Sequence, residues 1–360
     1  MNLQPLRAAS VVLAIAVVTA ACGSGPQPPP ESTNLVILSI DTLRPDHLGF
    51  HGYHRRTSPN LDRLARRSVV FDQAVTTHVS TAPAHASILT GLYPGSHGLH
   101  RNGMKLVANV PTMAEWLTTE GFATGAFVSG WTLQRHTGLD RGFSRYDDDL
   151  GPPRAGARRE GRATADAALK WHEKKVSNHH RFFINHHLNE PHSPYNPPPE
   201  EALKFLNGPD VLMTTRRPVH LDRRLSVNRL TPAEKEEYVA RYDGEIVVAD
   251  RLAARVLDAL DDLEVAHNTV LVFLSDHGET LFEREWSMDH GCRPYDEQAL
   301  VPLVLYIPNN ESSARRIPDQ VSLLDVFPTI AEVFGIEPPP GLQGRSLVPL
   351  AAGAGNEDPP

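Results

Sequence analysis

Thr76-Thr77-His78-Val79-Ser80-Thr81-Ala82-Pro83-Ala84-His85-Ala86-Ser87-Ile88-Leu89-Thr90-Gly91-Leu92-Tyr93-Pro94 is the stretch on which the reading of this chain turns. It begins polar, carries one proline, and becomes a short apolar helical run that Gly91 closes. Pro83 suits the first turn of a helix, where a missing N–H costs nothing. Thr81 is therefore expected just before a helix N-terminus. Unpaired backbone N–H groups should point there, and the helix dipole favours an anion. A hydroxyl so placed faces an oxyanion-friendly pocket.

Two apolar runs flank this stretch far away in sequence. Asn34-Leu35-Val36-Ile37-Leu38-Ser39-Ile40 reads as a strand buried on both faces and ends at Asp41-Thr42-Leu43-Arg44. Val270-Leu271-Val272-Phe273-Leu274-Ser275 reads the same way and ends at Asp276-His277-Gly278-Glu279. In open α/β sheets, ligands gather at the carboxyl ends of strands, which places Asp41 well for metal binding.

Between them lie further helix and strand signals. Ser58 to Ala65 reads as a capped helix, Val69 to Phe71 as a brief strand, and Pro111 to Thr119 as a helix. Residues 121–129 suggest a strand, 160–177 a helix, and 181–188 a strand. That strand leads into His187-Leu188-Asn189-Glu190-Pro191-His192-Ser193-Pro194-Tyr195. His179, His180 and His186 read as surface or packing residues.

Residues 196–230 are Pro-rich and then basic, and read as a solvated loop. Thr231-Pro232-Ala233-Glu234 is a capping box opening a helix to about Asp262, with Tyr238, Tyr242, Ile246, Ala253 and Leu257 on its apolar face. Asp289-His290-Gly291 lies in a loop. Val301 to Ile307 reads as a strand, and Val321 to Pro328 opens the last helix. Strands alternating with helices predict an α/β fold with a parallel sheet covered on both faces.

The 360 residues are 40% hydrophobic and 22% charged, as in ordinary globular proteins. The formal net charge of −8 argues against a nucleic-acid partner. The 31 prolines imply many fixed loops. Ala8 to Ala21 is apolar, follows Arg7 and ends Thr19-Ala20-Ala21-Cys22, which looks like an export signal with a lipoprotein box. Residues 1–22 are read as that signal, with Cys22 lipidated and the mature chain on the outer face of a bacterial membrane. Simple secretion stays open. Residues 23–33 read as a Pro/Gly-rich tether, 34–350 as the catalytic domain, and 351–360 as a tail. Cys22 and Cys292 are the two cysteines, so a processed Cys22 leaves no disulfide within the mature chain.

The organising stretch resembles the signature of the sulfatases, in the alkaline phosphatase superfamily. That signature reads Cys or Ser, any residue, Pro, any residue, Arg, then a Ser/Leu/Leu/Thr/Gly tail. The tail is kept as Ala86-Ser87-Ile88-Leu89-Thr90-Gly91, with Thr81 at the first position and His85 at the last. The resemblance covers about residues 34 to 350 and implies an alkaline-phosphatase-like sandwich. It implies Thr81 as nucleophile, and His192 as the substrate-facing histidine of a segment that in the family reads Asp-Pro-His-x-Pro-Tyr. Glu190 replaces the Asp of that segment, and Thr42 replaces the second Asp of the family's pair after the first strand. His85 stands where the family keeps an Arg.

Asp41, Thr81, Asp276 and His277 are the candidate metal ligands. Oxygen donors with one imidazole suit Ca²⁺, Mg²⁺ or Mn²⁺, with Zn²⁺ and a second metal left open. His192 and His290 are candidates to hold the anion's oxygens or protonate the leaving group. Thr81 cannot follow the family's route to formylglycine, because its β-carbon already bears a methyl. Three readings follow. The first is a metal-dependent hydrolase of a sulfate or phosphate ester of a small molecule, glycan or lipid. The second is a phosphodiesterase or phosphoryl transferase acting on an envelope lipid or glycan. The third is a binding protein that retains the fold.

Overall fold

The computed structural model describes residues 33–151, 157–206, 230–284, 287–291, 293–309 and 314–353. The stretch read as an export signal, Cys22, Cys292 and most of the basic loop after residue 196 lie outside the described residues.

Eight strands form the central sheet: β1 (Asn34–Ile40), β2 (Val69–Val75), β3 (Ala123–Phe127), β4 (Arg145–Asp147), β5 (Phe182–Leu188), β6 (Thr269–Leu274), and two later ones. A separate hairpin pairs β7 (Thr280–Arg284) with β8 (Ser287–Asp289). β9 (Leu300–Tyr306) and β10 (Arg315–Ser322) complete the sheet, whose order is β10-β2-β9-β6-β1-β5-β3-β4.

The expected parallel sheet is mostly parallel. β9 runs antiparallel to both of its neighbours, β2 and β6. The segment between β6 and β9 forms the hairpin and a single helical turn, Asp296–Ala299, in place of the crossover helix that usually joins parallel neighbours.

Alternation along β1 explains the layers. Leu35 and Ile37 face one apolar cluster, while Val36, Leu38 and Ile40 face the other. Both sets are essentially solvent-free, so the strand reads as a continuous apolar run. Helix α1 (Pro59–Ala65) covers the second face, and α2 (Thr81–Thr90) the first. α3 (Met113–Thr119) joins α2; α4 (Gly161–Ser177) and α5 (Pro232–Asp262) join α1. α6 (Val326–Phe334) packs on the α2 side, with Phe327 and Ile330 in that cluster. The result is an α/β sandwich.

Helix ends follow their caps. Thr231 and Glu234 make the reciprocal capping box expected of them. α3 begins two residues later than the sequence suggests, because Thr112 caps it through Glu115. Val321 and Ser322 still belong to β10, so the helix expected there starts at Val326. A final short helix, Val348–Ala352, carries into the stretch read as a tail. No helix among the described residues is long and apolar enough to cross a membrane.

Candidate metal and catalytic centre

β1 and β6 pair in register, Leu38 beside Phe273 and Ser39 beside Leu274. Their carboxyl ends therefore open side by side. Asp41 leaves β1 and Asp276-His277 leave β6 at one level. Ser275 ties the two exits together, its hydroxyl accepting the Leu43 N–H at 2.9 Å and donating to the His277 carbonyl at 2.8 Å. Gly278 is required next to them: a Cβ there would lie 2.3 Å from the Glu297 carbonyl oxygen.

α2 brings Thr81 to the same point. Ser80 is the N-cap, so Thr81 is the first helical residue and Pro83 still lies in the first turn. Gly91 closes the helix at φ +66°, a left-handed value that favours glycine. Thr81 Oγ1 lies 3.4 Å from His277 Nε2. A Cβ at Gly291 would lie 3.1 Å from Ser80 Oγ, which puts that hydroxyl beside the loop after His290.

The expected ring of free N–H groups at this helix start is largely absent. Ala82 N–H donates to Asn102 Oδ1 at 2.9 Å, Pro83 has none, and Ala84 N–H donates to the Ser80 carbonyl. Asn102 caps the turn from outside. An anion here must find its counter-charge in side chains or a cation instead.

Asp41, Asp276 and His277 each offer a ligand atom within 4.8 Å of one another, and all three are buried. His277 Nε2 stands 3.7 Å from Asp41 Oδ1 and 3.5 Å from Asp276 Oδ2. His277 Nδ1 is 3.0 Å from the Gly278 carbonyl, to which it donates. That bond leaves the Nε2 lone pair facing two carboxylates. Asp41 Oδ1, Asp276 Oδ2 and His85 Nε2 are buried and have no hydrogen-bond partner, while His187 Nδ1 accepts the Ser129 N–H and its Nε2–H faces Asp41 Oδ2 at 3.4 Å. Two carboxylate oxygens left without a donor beside the His277 lone pair fit a bound cation.

Burial pushes both carboxyls up. At Asp41 the nearby His192, a hydrogen bond from His187 and the His277 ring outweigh it, and the group is held well below the usual carboxylate range. At Asp276, burial and the adjacent Asp41 charge together raise it. Two carboxylates this close do not ionise independently.

The remaining candidates surround this core. His85 is buried, with Nε2 3.9 Å from Asp276 Oδ2. Burial and the neighbouring His187 hold it well below its ordinary value, so it is a neutral imidazole where the family keeps a cation. The His290 ring lies 4.4 Å from that of His277 and 4.9 Å from that of His192, centroid to centroid. His290 Nδ1 meets Glu279 Oε1 at 3.1 Å. His192 Nδ1 meets the Ser193 carbonyl at 2.7 Å.

His187 is a residue that sequence reasoning missed. Its Nε2 is 3.4 Å from Asp41 Oδ2, and its ring meets His85 edge-on at 5.2 Å. Its position at the end of β5, beside the Asp41 exit, was the available signal. Asn102 and Glu279 carried no signal of this kind. His186, on the opposite face of β5, is a buried packing residue, and His179 and His180 are exposed.

Known proteins resemble this chain in sequence and in fold. An ulvan-active sulfatase of Formosa agariphila is 26% identical over 347 residues, covering 90% of this chain and 66% of that protein. The chain thus spans about two thirds of that relative's length. The phosphonate monoester hydrolase of Agrobacterium radiobacter superposes with a TM-score of 0.74 at 21% identity, covering 91% of this chain and 79% of that one. A protein solved in complex with its substrate D-glucosamine-2-N,6-O-disulfate superposes at 0.73 with 19% identity, covering 90% and 81%. The sandwich is the alkaline-phosphatase-like fold. The family model for sulfatases matches residues 33–336, and the chain belongs to the sulfatase family.

Proposed function

We propose that this member of the sulfatase family is a metal-dependent hydrolase of sulfate esters, with Thr81 as nucleophile. The observation that carries the reading is the convergence of Thr81 Oγ1 with Asp41, Asp276 and His277 at one buried point. Asp41, Asp276, His277 and Thr81 would hold one divalent cation, and the unpartnered acceptors are the reason they fit it. When bound, that cation lowers the pKa of a hydroxyl and offsets the charge of an attacked anion. The hard oxygen donors favour Ca²⁺, Mg²⁺ or Mn²⁺.

In this reading Thr81 Oγ gives its proton to water and attacks sulfur, and the S–O bond to the alcohol breaks. His192 or His290 gives the leaving oxygen a proton, and water then releases sulfate from Thr81. His85 supports the nucleophile's side of the site without carrying charge. His187 orients Asp41 through its contact with Oδ2. The substrate is a small-molecule or glycan ester. A glycan is favoured by the sulfated glucosamine that one structural neighbour holds. The apolar stretch ending at Cys22 supports a reaction outside the cytoplasm, with Cys22 as the site of a lipid.

Thr81 itself favours a second reading. It cannot become formylglycine, and a directly attacking threonine suits phosphorus as well as sulfur. The likeness to a phosphonate monoester hydrolase is in keeping with this. A panel of nitrophenyl sulfate, phosphate, phosphodiester and phosphonate esters tests both. Sulfate turnover that Thr81→Ala abolishes supports the first reading. Phosphorus esters turned over with no sulfatase activity replace it with the second. Activity unchanged in Thr81→Ala refutes the mechanism.

A further inference from the structure

Beside the catalytic centre lies a cavity of about 1130 Å³ that the reaction described above does not use. It shares His192 with the centre, and Arg158, Arg162, Glu190, Asn196 and Glu245 are among its walls. Its cations fall into two groups. Arg159 pairs with Asp147, Arg241 with Glu237, and Arg251 with Glu201, at 2.6 to 2.8 Å. Arg158 and Arg162 are exposed and make no ion pair among the described residues.

Neither of these two is explained by the fold. Arg162 stands in the first turn of α4, which contains no acidic residue. A cation there opposes the helix dipole. The Arg158 guanidinium donates only long bonds, at 3.3 Å, to the His192 and Pro194 carbonyls. It is thus held at the loop that carries the substrate-facing histidine, with donors to spare.

The floor of the cavity is different. Glu190 Oε1 accepts the Gly161 N–H at 2.9 Å, but its Oε2 is buried with no partner. Glu245 Oε1 accepts the Asn196 N–H at 2.7 Å, and burial pushes that carboxyl up to about 7. Carboxyl oxygens below and guanidinium groups at the rim offer acceptors for hydroxyls and donors for an anion. A hydroxylated ring bearing an acidic substituent matches both.

We infer that this cavity binds the alcohol portion of the ester, and that this portion is a sugar carrying a second anionic group, held by Arg158 and Arg162. The inference rests on the sulfate-ester reading above and names the substrate class. Guanidinium forks recognise carboxylate and sulfate alike, so the shared chemistry is a planar or tetrahedral oxyanion on the sugar.

Steady-state kinetics on three esters tests it: 4-nitrophenyl sulfate, a sulfated neutral disaccharide, and the same sulfated disaccharide bearing a uronate. The native protein should prefer the uronate ester over the neutral one by roughly tenfold to a hundredfold in kcat/KM, the range for one or two hydrogen bonds to a charged group. Added salt should reduce that preference. Arg162→Glu should erase the preference, chiefly through KM, and Arg162→Lys should keep part of it. A native protein indifferent to the uronate overturns the inference. So does an Arg162→Glu variant that loses all three esters in equal proportion, because the arginine then serves the fold. If the native protein hydrolyses none of the three, the sulfate-ester reading fails, and binding decides the subsite separately. Calorimetry on Thr81→Ala should show the uronate disaccharide binding at least tenfold more tightly than the neutral one, and Arg162→Glu in that background should abolish the difference. Equal affinities overturn the subsite.

Discussion

Tyr242→Phe is the substitution that most directly probes how the centre is held. Tyr242 lies in the middle of α5 and is fully buried. Its hydroxyl accepts the Arg44 N–H at 3.0 Å and donates to the Thr42 carbonyl at 2.7 Å. These bonds fix the turn that follows Asp41. In that turn Thr42 stands at φ +56°, a left-handed value that a β-branched residue adopts only at a cost. The Thr42 N–H in turn reaches Asp276 Oδ1 at 3.4 Å. Removing one oxygen leaves two buried backbone groups without a partner. At about 1–2 kcal/mol for each, the variant should lose about 2–4 kcal/mol of stability. With roughly 2.1 cal/mol/K of unfolding entropy per residue, that is a fall in Tm of about 3–5 °C for a chain of this length. Calorimetry and urea unfolding measure the loss. Metal titration of the folded variant should also show weaker binding, because the turn that aims Asp41 has loosened. A loss under about 0.5 kcal/mol, within the range of an ordinary surface change, refutes the idea that this hydroxyl holds the turn.

Other perturbations reach the centre and the cavity from different sides. Chelation should lower Tm, by about 2.7 kcal/mol of lost stability if the ion was present at a hundred times its Kd; no shift, with no metal by elemental analysis, removes the metal site. Peptide mass analysis should find Thr81 unmodified, and an oxidised residue there defeats the direct-attack mechanism. Glu245 binds its proton more tightly in the folded chain, its carboxyl standing at about 7 because burial outweighs the Asn196 N–H. Between about 4.5 and 7 the folded state therefore holds more protons than the unfolded one, and stability should fall as pH rises through that window, by at most about 3 kcal/mol. Glu245→Gln should flatten the slope of Tm between pH 5 and 7; an unchanged slope assigns it to other groups.

The elements that carry the centre were legible because each obeys a simple rule. β1 and β6 are buried on both faces, so their sequences are unbroken apolar runs, and each ends abruptly in Asp. Thr231 and Glu234 mark the start of α5 by residue type and spacing alone. What escaped depends on pairing between distant segments. The direction of β9 shows only in its pairing with β2 and β6, and an apolar strand looks the same in either direction. His187 acquires its place only when β5 lies beside β1, with Ser39 against His187. Asn102 reaches Ala82 across a loop, so the first turn of α2 looked freer from sequence than it is.

The unpartnered acceptors at the centre are not a general failure of packing, and Asp243 shows why. It is as deeply buried as Asp276. Yet its Oδ1 meets His47 Nδ1 at 2.7 Å, and its Oδ2 accepts from the Tyr53 hydroxyl and from Arg55, both at 2.8 Å. Asp250 is likewise satisfied, accepting the Asn60 and Leu61 N–H groups at the start of α1. This chain supplies donors to a buried carboxylate where the carboxylate serves the fold. At Asp41 and Asp276 one oxygen of each is met, by His187 and by the Thr42 N–H, and the other faces the His277 Nε2 lone pair with no donor. An unmet buried polar atom costs about 1–3 kcal/mol, so two such carboxylate oxygens together offset a sizeable part of a domain's net stability. An arrangement that costly persists when something outside the chain completes it, and the one species that satisfies every acceptor at once is a cation.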